Sequence, residues 1–187
     1  QSAGPAAVTI GANLRLGANQ TWNVASSAGV LTLVGSLLGP SNVTVSGAGK
    51  VTLSAAADPS FNPGDTVTFT VAGGTLELTN SAALGTTAAG NLASLVLSGG
   101  AFYYNNAATA TLAHPITLSG GTLSGGGNNQ TFSGAVSVTA ASFVNMADLN
   151  GLSTAAAARN ITLSGAVTGS GAVTIDSNDT ATSGNQT

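Results

Sequence analysis

Cysteine is absent, so neither a disulfide framework nor a thiolate metal site can be built from this chain. That absence does not exclude export, because 187 residues can bury a core without cross-links. Charge is nearly absent too: Arg15, Lys50 and Arg159 stand against six carboxylates, for a net charge of −3. So little positive charge cannot neutralise a phosphate backbone, which argues against a nucleic-acid partner. The same shortage weakens the repulsion that keeps ordinary domains apart and favours self-association. No run of about 18 apolar residues occurs, so nothing is expected to span a membrane as a helix. No signal peptide is visible, and the boundaries at Gln1 and Thr187 look arbitrary; the expectation is a segment of a longer chain.

What is present is glycine (26 residues), with many small polar residues and 43% hydrophobic ones. The glycines have no three-residue period, which excludes collagen, and recurring Val, Leu and Ile argue against disorder. Short runs share one form: "VTVSG" (43–47), "VTLSA" (51–55), "LVLSG" (95–99), "ITLSG" (116–120), "VSVTA" (136–140), "ITLSG" (161–165) and "VTIDS" (173–177). Aliphatic and small polar residues alternate, the period-2 pattern of a half-buried strand. Comparable runs start at 31, 51, 75, 95, 116, 136 and 161, at spacings of 20 to 25 residues. A second mark recurs in phase, a glycine pair before a strand: "GGTLEL" (73–78), "GGAFYY" (99–104) and "GGTLSG" (120–125).

Repeats of this length, with two or three short strands and glycine corners, indicate a solenoid. Leucine-rich repeats need a consensus that is missing, and glycine is too dense for helical repeats. The chain is therefore expected to be all-β, a single parallel β-helix (β-solenoid) over 1–187. It should have roughly eight coils stacked at about 4.8 Å, a rod about 40 Å long. Right-handed coiling is expected because parallel crossovers are overwhelmingly right-handed. An antiparallel barrel or sandwich is the alternative, although Asn150-Gly151 is the only Asn-Gly hairpin signal. Two segments break the rhythm. The stretch 55–65 carries two prolines and reads as a loop leaving the rod, and 145–160 reads as a second excursion in which Asp148 or Ser153 caps a short alanine helix.

Two phrases, "ITLSGAVTGSGAVTIDS" (161–177) and "LSGGTLSGGGNNQTFSGAV" (118–136), resemble the autotransporter-associated β-strand repeats of bacterial passenger regions and large surface proteins. The resemblance covers most of the chain, from Val8 onward. It implies a right-handed β-helix that is exported and exposed at the cell surface or shed, usually within a longer polypeptide. The family has no shared catalytic residues to carry over.

Candidate sites are few. Asn-X-Thr triplets at Asn19, Asn42, Asn129, Asn160, Asn178 and Asn185 are formal N-glycosylation sequons. The competing reading places each Asn at a corner, bonding local backbone or stacking in a ladder between coils. "NQT" leads twice into a bulky residue, Trp22 or Phe132, expected to enter the bore. Alternation sends Phe102 and Tyr104 into the bore and turns Glu77, Tyr103 and Ser124 outward in one column, the best candidate for a glycan or partner contact. Asp176, Asn178 and Asp179 could chelate calcium but lack the nonapeptide of calcium-binding rolls. His114, before Pro115 and without a visible acidic partner, reads as a turn histidine. Outward threonines such as Thr66, Thr68 and Thr70 resemble flat ice-binding faces and equally any solvated strand.

Polysaccharide-degrading enzymes also use β-helices, but need converging carboxylates; Asp58, Asp65, Glu77, Asp148, Asp176 and Asp179 are dispersed. No cofactor is expected. The leading expectation is therefore a non-catalytic extracellular structural or adhesive protein of a bacterial surface, associating with copies of itself into fibres or a layer. A glycan-binding adhesin using Tyr103 and the 145–160 excursion, and a polysaccharide-degrading enzyme using Glu77 or Asp148, are the alternatives.

Overall fold

The computed structural model describes residues 6–176 apart from 59, 63, 65, 107, 128 and 146–159, with only the backbone at Asp176. The described chain is a parallel β-solenoid of the right-handed type. It contains no α-helix among the described residues; the one helical turn is the short 3-10 turn Thr87–Ala89. Every strand pairing is parallel and joins one coil to the next, which disposes of the antiparallel barrel or sandwich.

Two long sheets form the walls. Sheet A stacks eight strands: Ala7–Ile10, Val30–Leu33, Lys50–Leu53, Thr75–Leu78, Ala101–Asn106, Thr122–Gly127, Ser142–Asn145 and Val173–Asp176. Sheet B stacks seven: Gln20–Val24, Val43–Gly47, Thr68–Val71, Ser94–Leu97, Ile116–Ser119, Val136–Ala140 and Val167–Gly169. A narrower third side carries Ala110–Leu112, Gln130–Phe132 and Ile161–Leu163, preceded by the short pair Leu14–Arg15 and Leu37–Leu38. About six turns are complete, fewer than the roughly eight coils expected. The recurring runs belong to different walls, since Val51 lies in sheet A, Leu95 and Ile116 in sheet B, and Ile161 on the third side. Their spacing therefore does not count coils.

Alternation works as the sequence pattern requires. In sheet A, Leu31, Val51, Leu76, Phe102, Leu123 and Val144 fall in one register column. From sheet B, Val45, Val71, Leu97, Leu118 and Val138 form a matching column. All these residues belong to or pack against one continuous core. Stacking like upon like buries each aliphatic against its neighbours above and below, at roughly 1.5–3 kcal/mol per fully buried side chain. Aromatics fill the wider places: Phe132 makes edge contacts with Phe102 (6.5 Å) and Tyr104 (6.0 Å), and Trp22 with Phe69 (6.1 Å). Trp22 and Phe132, which follow "NQT", thus enter the bore as expected.

The glycine pairs form the corners between sheet B and sheet A. Gly74 has a φ of 61°, in the left-handed region that side chains avoid. At Gly121 a Cβ would lie 2.6 Å from the Gly100 carbonyl oxygen of the coil below, so only glycine lets the coils stack there.

The 55–65 segment does not leave the rod as expected. Phe61 is fully buried, bridges to Gly39 and lies 6.4 Å from Phe69. Buried Asn62 takes a left-handed φ of 48°, accepts from the Val67 N–H (2.6 Å) and donates to Asn91 O (3.3 Å). A phenyl ring that can reach the bore gains more by burial than a loop gains by hydration. The 145–160 excursion, with Asp148 and Ser153, lies outside the described residues except at Asn145 and Asn160.

Candidate functional site

The outward column foreseen from the glycine marks exists in register. Thr32, Thr52, Glu77, Tyr103, Ser124 and Asn145 follow one another across sheet A on the side away from the bore. Its middle, however, is not exposed. Glu77 is 3% exposed, Tyr103 1% and Ser124 0%. The Tyr103 ring lies across Gly126 in the next coil, where the missing side chain gives it room. The expectation of Glu77, Tyr103 and Ser124 as an accessible contact patch therefore fails: a bulky ring beside small neighbours lies down on the sheet and is covered.

Lys50, Thr52 and Asn105 hold Glu77. Lys50 Nζ lies 2.7 Å from Oε2, to which the Thr52 hydroxyl donates at 2.9 Å. Asn105 Nδ2 donates to Oε1 at 2.8 Å. A buried carboxylate is tolerated only when charge and lone pairs are matched, and these contacts match them. Both oxygens are committed to protein groups, so the cluster holds the wall together and offers no acid or base to a substrate. Lys50, Thr52 and Asn105 were missed from the sequence. The signal was the register: Lys50 and Thr52 share the outward parity of Glu77, and Asn105 stands two places beyond Tyr103.

The sequons have a structural explanation. Asn19 Oδ1 accepts the Asn42 N–H of the coil above (3.0 Å), and Asn42 Oδ1 accepts the Thr68 N–H in turn (2.8 Å). On the third side, Asn129 Oδ1 accepts the Asn160 N–H (3.1 Å). Asn13 does the same for Ser36 (2.9 Å). Each such Asn closes a corner by bonding a backbone donor that the sheet ladder does not reach. The residue after it, such as Val43 or Gln130, turns into the bore, and the next is an outward Thr. Corner Asn, inward residue, outward Thr yields Asn-X-Thr without reference to glycans. Asn178 and Asn185 lie outside the described residues.

The outer face of sheet B is different in kind. Its central column reads Thr21, Thr44, Thr70, Val96, Thr117, Ser137 and Thr168. Every one is half-buried or exposed, and no charged residue stands in this column or in the flanking one that begins Asn19, Asn42, Thr68 and Ser94. The rung-by-rung recurrence of hydroxyls was not visible in the sequence, because the coils differ in length.

Other candidates do not converge. Asp58 is held below the ordinary carboxylate range because the Ser60 N–H (2.8 Å) and hydroxyl (2.7 Å) both donate to it. His114 is buried at a corner, with Nδ1 2.8 Å from Ala93 O. Among the described residues no group of three His, Cys, Asp or Glu could hold a metal. The calcium candidates Asn178 and Asp179 lie outside those residues, as does the Asp176 side chain. Two apolar cavities, of about 310 Å³ beside Leu14 and Trp22 and about 270 Å³ beside Val144 and Ile175, lie at the first and last described coils. No helix among the described residues is long and apolar enough to cross a membrane.

Compared with known proteins, the chain matches no family model, no curated protein and no solved structure.

Proposed function

We propose that this chain is a non-catalytic structural segment of an exported bacterial surface protein, a stiff β-solenoid that presents surface and associates with copies of itself. The observation that carries this reading is the stack of coils joined by parallel ladders along two walls, together with the absence, among the described residues, of any group of three His, Cys, Asp or Glu that could hold a metal. Stiffness follows from the ladders: each coil is bonded to the next along both walls, so bending the rod must break many backbone bonds together. Association follows from weak charge, which leaves little long-range repulsion between copies. The surface location rests on the resemblance of residues 118–136 and 161–177 to autotransporter-associated repeats. Burial takes Tyr103 from the adhesin alternative and the ion pair takes Glu77 from the enzyme alternative, while the 145–160 excursion and Asp148, which they also invoked, lie outside the described residues. Sedimentation over rising concentration, with electron microscopy of the concentrated protein, tests the reading. Reversible association and ordered assemblies are expected. A strict monomer with no assemblies at the highest concentration would overturn it.

A further inference from the structure

We infer that two copies associate face to face through the outer side of sheet B, about a two-fold axis that runs along the Val96 strand. This rests on the proposed self-association and names the surface that performs it. A face with the same outward residue type on nearly every rung fits best against a partner of the same repeat. A second copy supplies that repeat by construction. Hydrogen-bonded water, the other candidate, places second neighbours about 4.5 Å apart, if oxygens lie roughly 2.75 Å apart in a tetrahedral net. Against rungs of about 4.8 Å it drifts out of phase by close to 2 Å over the seven strands.

The order of residues satisfies the two-fold. An isologous contact requires a surface complementary to itself. Among the described residues the column has seven rungs; Val96 stands on the fourth and is the one aliphatic. With the axis lying in the face along the strands, Val96 meets Val96, Thr70 meets Thr117 and Thr44 meets Ser137. Each hydroxyl thus faces a hydroxyl, which both donates and accepts, and the methyls meet around the central valines. Short side chains of this kind let the two faces approach closely, rung upon rung. Three outward positions on each of the seven strands give a footprint of roughly 500 Å² per copy. The pair then buries about 1,000 Å², the lower bound for a specific interface. The contact is therefore expected to be reversible and, lacking charge, nearly indifferent to salt.

The test uses the whole chain. Thr70→Lys with Thr117→Lys places four cations in the closed face, and association should weaken at least tenfold by sedimentation. Thr111→Lys with Thr162→Lys, on the exposed third side, should leave it unchanged. Circular dichroism and thermal midpoints identify any variant that fails to fold. Independently, the natural absence of cysteine lets a single Val96→Cys report the contact. A short bis-maleimide should link it into dimers whose yield rises with concentration, whereas Thr111→Cys should remain monomeric. If the parent protein associates and both the lysine pair and the Val96→Cys linkage behave like their third-side controls, the face is wrong while self-association stands. A parent that never associates overturns both. A monomeric parent that slows ice recrystallisation, with the effect lost in Thr70→Lys/Thr117→Lys, assigns the face to water and overturns the dimer.

Discussion

Sheets A and B close the same bore and both line it with aliphatic and aromatic side chains, yet their outer sides obey different rules. On sheet A the outward residues at the middle of the wall, Thr52, Glu77, Tyr103 and Ser124, are buried, and half-buried Lys50 and Asn105 bond Glu77 beside them. On sheet B the outward residues of the central column are short, uncharged and half-buried or exposed, none of them fully buried. One wall has thus become a second interior, where each polar group needs a partner. The other has remained a surface, where side chains are free of that demand and their regularity can serve recognition. Period-2 alternation fixes which residues point away from the bore and is silent about whether water waits for them.

The contrast breaks first at Tyr103. If sheet A is interior on both sides, Tyr103→Ala should cost about 3–5 kcal/mol, as for a buried aromatic in any core. Urea denaturation would show it as a fall in midpoint at unchanged slope. A loss below about 1 kcal/mol, the range of an exposed ring, would return Tyr103 to the surface and reopen the adhesin reading. Next comes the ion pair. Lys50→Met keeps the stem and removes the cation from beside the buried Glu77 carboxylate. A loss of about 3 kcal/mol is expected, because an unpaired buried charge costs more than the pair contributes. Lys50→Met combined with Glu77→Gln should recover much of it, and a double-mutant cycle measures the recovery.

At the corners the expected effect is smaller. Asn42→Ala removes the acceptor for the Thr68 N–H and should cost about 1 kcal/mol, the usual worth of one hydrogen bond. Asn42→Asp keeps the acceptor and should lose less than Asn42→Ala. Equal losses would mean that the corner is held by backbone geometry rather than by the Asn ladder.

These effects also mark what the sequence could reveal. Strand, corner and bore were legible because they depend on local chemistry: alternation in "VTVSG", paired glycines before "TLEL", a bulky residue after "NQT". The column Glu77, Tyr103 and Ser124 was legible too, since the glycine pairs set its phase. Its burial was not, because which outer wall is covered depends on the whole chain. The 55–65 stretch was misread for a related reason: two prolines in a sequence signal a break in strand structure but not whether the residue between them, here Phe61, is buried. Coil number was obscured because coils vary in length, with 21 residues separating Thr139 from its partner Leu118 and 31 separating Asn160 from Asn129.

One substitution made on both walls gives the sharpest form of the comparison. Thr52 and Thr44 both point away from the bore from the middle of a strand. Thr52 is 8% exposed and donates to the Glu77 carboxylate at 2.9 Å, whereas Thr44 is half-buried on the open wall. Thr52→Ala removes a donor to a buried anion and should cost about 2 kcal/mol, in the range for hydrogen bonds to charged groups. Thr44→Ala removes a solvated hydroxyl and a methyl at the surface, and should fall within about 0.5 kcal/mol of the parent. Measured in dilute protein, where copies do not associate, the difference between the two isolates the wall itself. Equal losses would mean that the two outer sides are one kind of surface, and the division drawn between them would fail.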